Sequence, residues 1–153
     1  MEVSVRVSTL EDASFLRDMF FEVRAPEFIA AGLVGLPLET LLSQQYVAMR
    51  THYDREYAHA VYEVFELAGE RIGYQATVVL DSLHLIDISL VMRMRGNGIG
   101  TAQLKQLQRR ATEMELPMTL TVEKFNPAMR LYERLGFKPY MDSEVYSRMK
   151  WEA

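Results

Sequence analysis

The 153-residue sequence contains no cysteine. That excludes disulfides, thiolate metal sites and a cysteine nucleophile together, and with them an acyl-enzyme held on sulfur. Histidine is scarce: His52, His59 and His84 are scattered, with no H-E-x-x-H or other metal-ligand spacing, so no metal is expected. No G-x-S-x-G nucleophile turn is present. No apolar run approaches the roughly 20 residues of a membrane span, so no membrane is expected as a partner. The opening "MEVSVRVSTLEDA" has neither the basic start nor the apolar stretch of a signal peptide, which predicts a cytoplasmic protein. The formal net charge of −4 argues against nucleic acid as a partner, because neutralised phosphates supply most of that affinity. What remains, 49% apolar and 25% charged, is ordinary for a globular protein and predicts a single domain over residues 1–153.

"VSVRV" (Val3 to Val7) alternates at period two and predicts a strand. A helix follows, with Thr9 and Asp12 in capping-box positions and Leu16, Met19, Phe20 and Val23 on an apolar face. "APEFIAAGLVGLP" holds two prolines and two glycines and reads as a loop or broken helix. A second helix is predicted from near Pro37, with Leu38, Leu41, Leu42, Gln45 and Met49 on one side. From about His59, "HAVYEVFELA" and "RIGYQATVVL" read as antiparallel strands joined at a Gly69-Glu70 turn. Asp81-Ser82 turns into "LHLIDISLVM". Ile99, Leu104, Leu107, Ala111 and Met114 then recur at helical spacing, and "MTLTVE" is a further strand. "NPAMRLYERLG" is a short helix with Asn126 as N-cap, Pro127 in the first turn and Gly136 just past the end. "FKPYM" and "VYSRMKW" close the chain as strands.

The order β-α-α-β-β-β-α-β-α-β-β describes a mixed α+β domain, with a mostly antiparallel central sheet flanked by helices. A helix between the fourth and fifth strands predicts that this pair is parallel.

"MRMRGNGIG" (Met92 to Gly100) carries three glycines where a strand gives way to a helix. It is neither a G-x-G-x-x-G fingerprint nor a G-x-x-x-x-G-K-[ST] loop. The first N–H groups of the following helix have no intrahelical partners, and its positive end favours anions. Glycines bring that backbone close to a bulky diphosphate, and Arg95 adds a charge-assisted contact. A structural turn alone needs one glycine, at most two. Arg93, Lys105, Arg109 and Arg110 lie nearby in sequence, the last three in positions that also suit a solvated helix face.

Two segments together carry a family resemblance. "RGNGIG" matches the R/Q-x-x-G-x-G/A signature of the GCN5-related N-acetyltransferases (GNAT), with Arg95, Gly98 and Gly100 in the defining positions. "NPAMRLYERLGF" resembles the family's second signature. The resemblance implies a GNAT-like acyl-CoA N-acyltransferase fold, with the parallel strand pair splayed at the cofactor site. It implies that acetyl-CoA binds as co-substrate, its pyrophosphate on the amides of Arg95, Gly96, Asn97, Gly98, Ile99, Gly100 and Thr101. The pantetheine arm would pair with the strand backbone around Leu90, Val91 and Met92, and Asn126 would contact it. Many relatives have proline and glutamate before the arginine, where this chain has "MRM"; Arg93 adds positive charge there.

Acetyl transfer to an amine by direct attack in a ternary complex poses two proton problems. An amine of pKa about 10.4 is neutral at pH 7 only about once in 2,500, a handicap of roughly 4.6 kcal/mol. The departing thiolate also needs an acid. Tyr132 occupies the family's acid position, on the inward face shared by Ala128, Leu131 and Leu135; a core tyrosine with a satisfied hydroxyl is the alternative. For the base, Asp87 interrupts an otherwise apolar strand, where a carboxylate needs a partner or a function. Glu123, at the end of the next strand, and a bridging water chain are the other choices. The acceptor, a small-molecule or peptide amine, would sit near the first two helices, with Arg24 and Glu27 as candidate ligands and Gln45 and Tyr53 as further candidates from the second helix. His84 reads as satisfying a sheet hydrogen bond. A non-catalytic acyl-CoA-binding sensor or scaffold of the same fold is the competing function. Ten methionines and apolar residues expected at the surface, such as Phe28 and Trp151, leave a homodimer open, although core filling accounts for most of them.

Overall fold

The computed structural model describes residues 2–153. In chain order the elements are β1 (Val3–Val7), α1 (Ala13–Ala30), α2 (Gly35–Glu56), β2 (Val61–Leu67), β3 (Glu70–Val79), β4 (Leu83–Leu90), α3 (Ile99–Glu113), β5 (Met118–Glu123), α4 (Ala128–Arg134), β6 (Lys138–Asp142) and β7 (Tyr146–Trp151). The strands form a mostly antiparallel sheet in the order β1-β2-β3-β4-β5-β7-β6. As the helical crossover predicts, β4 and β5 run parallel, in register from Leu83↔Met118 to Leu85↔Leu120. From there β5 continues to Glu123 paired with β7.

The chain divides into two compact units, the first comprising the residues up to Tyr74 with Ser89–Met94, the second Gln75–Ile88 with Arg95–Ala153. In the first, β1 pairs antiparallel with β2, Val3 opposite Leu67. Three of the four residues predicted on the apolar face of α1 are buried: Leu16 and Met19 pack against Tyr74, flanked by Phe15, Tyr62 and Val91, and Phe20 is buried too, whereas Val23 is exposed. In the second, β4, β5 and β7 contribute Leu85, Leu120 and Met149 to a core closed by Leu104 and Leu107 of α3 and Tyr132 of α4.

Several local expectations are corrected. Of the two readings of the proline- and glycine-rich stretch the broken helix holds and the loop does not: α1 runs through Pro26 to Ala30, the break comes at Ala31–Val34, and helix resumes at Gly35. α2 begins at Gly35, two residues before Pro37. The β2–β3 turn is Ala68-Gly69, both at positive φ (51° and 81°), rather than Gly69-Glu70. Met114 caps α3 and is exposed, so the helix's buried stripe ends at Ala111. Phe28 and Trp151 are half-buried rather than exposed, and Trp151 packs against the second unit's core.

Gly73 is glycine for want of space, not for its φ. A Cβ there would lie 2.4 Å from the Ser89 carbonyl oxygen and 2.8 Å from Leu90 Cδ2. Backbone cannot swing aside as a side-chain tip can, so Gly73→Ala must push the end of β4 off β3. We expect a loss of about 1–3 kcal/mol, the usual cost of overpacking, read as a lower midpoint in urea unfolding.

Candidate active site

The last strand residue of β4 is Leu90. Val91 N–H donates to the Ile72 carbonyl at 2.9 Å, and a single 3-10 turn over Met92–Met94 then leads out of the first unit. Arg93, on this turn, sits 3.5 Å from Glu70. Met92 N–H points to Glu22 Oε1 of α1 at 3.3 Å. Nothing local in the sequence links those two residues; only the packing of α1 brings them together.

In the second unit the glycine segment leads into α3. Gly96 and Gly98 take the left-handed backbone (φ 79° and 77°), while Gly100 lies inside the first helical turn. Two of the three glycines therefore meet a conformational need, and the third leaves the first turn without a side chain. Asn97 Nδ2 donates to the Arg95 carbonyl at 3.5 Å. The first helical bond is Ala102 N–H to Gly98 O at 3.0 Å, so the N–H groups of Ile99, Gly100 and Thr101 precede the ladder. No side chain caps this end and no acidic residue lies in its first turn. The positive pole of a 15-residue helix is thus left without internal compensation, beside the exposed Arg95. These features suit a diphosphate such as that of coenzyme A.

α4 brings Tyr132 inward. Asn126 acts as the sequence predicts, its Oδ1 accepting Ala128 N–H at 2.9 Å, which leaves its amide nitrogen for another partner. At the far end Gly136 (φ 94°) lets Phe137 N–H reach back to the Tyr132 carbonyl at 3.0 Å. That turn sets the Phe137 ring edge-on to Tyr132, with centroids 5.9 Å apart. The tyrosine is only 8% exposed, yet no described protein group hydrogen-bonds its hydroxyl. Burial pushes the phenol up to about 12, and the Asp87 charge adds to the shift. Asp87 itself is half-buried: Leu83 and Leu85 are buried, but β4 from Ile86 to Leu90 is not, so the strand is less enclosed than its composition implies. Glu123 is exposed.

The acceptor candidates lie in the first unit. Arg24 and Glu27 share a face of α1, 4.0 Å apart, and Arg24 also stands over the Phe20 ring. Tyr53 stacks loosely with His52 and Tyr57, and Gln45 is half-buried. His84 meets Thr119 across the parallel pair, Nδ1 to Oγ1 at 2.8 Å, with burial and then the Arg148 charge lowering its pKa. Among the described residues no cluster of three or more His, Asp or Glu is placed to hold a metal. Among them, too, no helix is long and apolar enough to cross a membrane. An open groove of about 510 Å³ along α3, lined by Lys105, Gln108, Arg109, Thr112, Glu113 and Trp151, includes none of the predicted site residues.

Residues 19–137 match the model of the acetyltransferase (GNAT) family. The chain belongs to that family. Solved structures share its fold at low identity. The PaiA N-acetyltransferase of Thermoplasma acidophilum, solved in complex with coenzyme A, aligns with a TM-score of 0.74 and 16% identity over 100% of both chains. A histone acetyltransferase HPA2 and related acetyltransferase from Corynebacterium glutamicum gives 0.73 and 20%, covering 99% of this chain and 96% of that one. The ribosomal-protein-S18-alanine N-acetyltransferase of Escherichia coli gives 0.67 and 18%, covering 98% and 93%. No curated protein sequence matches this GNAT chain significantly. Its fold is the mixed α+β GNAT architecture, with β4 and β5 as the parallel pair.

Proposed function

We propose that this protein is an acetyl-CoA-dependent N-acetyltransferase, one domain over residues 1–153, that acetylates a primary amine by direct attack in a ternary complex. Family membership supports the reaction class. The coenzyme A in the PaiA complex supports the co-substrate. The observation that carries catalysis over mere binding is Tyr132: a buried phenol whose hydroxyl has no protein partner among the described residues and whose proton is held well past neutrality.

When bound, acetyl-CoA supplies an acetyl group activated as a thioester. The amides from Arg95 to Thr101 hold the diphosphate, with the uncapped start of α3 providing N–H groups and positive potential. The backbone of Leu90 to Met92 lines the pantetheine arm, and the Asn126 amide nitrogen contacts it. Tyr132 holds a proton for the departing sulfur. Asp87 takes the amine's proton directly or through water, a role supported by the charge it exerts on Tyr132. Arg24 and Glu27 orient the acceptor, a small-molecule or peptide amine.

Calorimetric titration with acetyl-CoA, using ATP and NADH as controls, tests the first half of this reading. Selective binding is expected, lost in Gly98→Glu because a carboxylate at this helix start faces the diphosphate. Gly98→Ala separates charge from strain: a left-handed alanine costs about 1–2 kcal/mol and weakens binding by about 30-fold at most. Equal binding of acetyl-CoA by wild type and Gly98→Glu would remove the glycine segment from the cofactor site.

A further inference from the structure

The groove along α3 is built from the second unit alone and contains no residue assigned to acetyl transfer. Its volume of about 510 Å³ lies within the roughly 300–1,000 Å³ of small-molecule sites. Helical spacing makes one wall: Lys105, Gln108, Arg109, Thr112 and Glu113 recur three and four residues apart and share one side of α3. Trp151 of β7 makes the other.

The polar groups of this groove are incompletely matched. Gln108 is only 9% exposed, and its Nε2 donates to the Leu135 carbonyl at 2.9 Å. Its Oε1 accepts from no described donor. On a side chain so enclosed, an acceptor without a donor is unfavourable unless something reaches it from the groove. Lys105 and Arg109 stand one turn apart and exposed, and no described carboxylate pairs with either, Glu113 included. Glu113 lies at the far end, so an anion is drawn towards Lys105 and Arg109. Trp151 is half-buried and held against Gly136, where a Cβ would lie 3.1 Å from the indole Cδ1. The rest of the ring is an aromatic surface bordering the groove.

We propose that this groove binds a small planar aromatic acid carrying one hydrogen-bond donor. The carboxylate pairs with Lys105 and Arg109, the ring packs on the Trp151 indole, and the donor meets Gln108 Oε1. The site is distinct from that of acetyl-CoA and does not depend on the acetyltransferase reading.

Trp151 is the only tryptophan in the sequence, so isotope-labelled protein gives one indole N–H resonance, and it reports this groove alone. Titration with 6-hydroxy-2-naphthoate is expected to shift that resonance saturably, and equally in CoA-saturated protein. 2-Naphthoate lacks the donor and 2-naphthol lacks the charge. Each should bind about 3–10-fold more weakly, the worth of one hydrogen bond or one exposed ion pair. The double variant Lys105→Gln/Arg109→Gln should lose about 3–10-fold in affinity for the acid and nothing for 2-naphthol. Its unfolding temperature should not change, because both side chains are exposed. Gln108→Met should abolish the advantage of the hydroxyl and keep that of the charge. Equal affinity for all three compounds, or full affinity for the acid in the double variant, reduces the groove to an unselective apolar surface and overturns the assignment. Absence of a saturable shift overturns it too, and displacement of the acid by CoA gives the groove to the cofactor instead.

Discussion

Tyr132→Phe is expected to lower kcat by about 10²–10⁴-fold, the usual worth of a positioned general acid, with the acetyl-CoA dissociation constant almost unchanged. The substitution removes one oxygen and keeps the ring. The ring is what packs: it fills the second unit's core and meets Phe137 edge-on at 5.9 Å. Because no described protein group hydrogen-bonds the hydroxyl, its removal leaves no orphaned partner behind, and unfolding temperature should move little. A large kinetic effect with a small stability effect separates an acid from a structural tyrosine. The pH profile gives a second readout. The phenol is raised to about 12 from the ordinary 10.0, so loss of activity through its ionisation must lie well alkaline of pH 10. A wild-type alkaline limb near pH 8 that survives in Tyr132→Phe belongs to another group. Retention of full kcat in the variant would hand the proton to solvent and leave Tyr132 as core.

Features with a local cause are legible in the amino-acid order itself. Period-two alternation marks β1 at its observed bounds, and Asn126 and Gly136 bracket α4 with the cap and the left-handed exit they take up. The glycine segment is legible for the same reason, since Gly96 and Gly98 do adopt positive φ. Features that depend on tertiary partners are not. A proline in a helix interior costs about 3 kcal/mol in isolation, which argues for a break at Pro26. Packing of Leu16 and Met19 on Tyr74, within an 18-residue helix, outweighs it. Ala68 hides the hairpin turn because the left-handed position is usually announced by glycine or asparagine. The Glu22–Met92 contact joins positions 70 residues apart, and no spacing rule reaches that far. Asp12 is half legible: its bond to Thr9 N–H follows from the capping-box spacing, but Arg71 comes from 59 residues away.

That second role makes Asp12 a stability determinant of the first unit. Its carboxylate is 0% exposed and joins β1 through Arg6, β3 through Arg71 and the start of α1 through its own backbone. Asp12→Ala leaves two guanidinium groups facing an apolar methyl. Breaking a fully buried pair costs about 3–5 kcal/mol, but Arg6 and Arg71 are 35% and 39% exposed and regain some water, so about 2–4 kcal/mol is expected. For a chain of this size that lowers Tm by roughly 5–15 °C. The pH dependence carries a definite sign. The Arg6 hydrogen bonds, with help from Thr9 N–H and Arg71, hold the folded carboxyl well below the usual carboxylate range. The unfolded chain therefore binds the proton first as pH falls, and folding stability falls with it. Asp12's contribution is complete above about pH 5 and is lost progressively below the unfolded value of about 3.9. Asp12→Asn keeps the shape and discards the charge, so urea midpoints of wild type and Asp12→Asn should differ by a constant amount from about pH 5 to 8 and converge below about pH 4. Parallel curves down to about pH 3 would assign the loss to packing instead of charge. No difference at any pH would mean that Arg6 and Arg71 find replacement partners, Glu66 being 3.0 Å from Arg6 already.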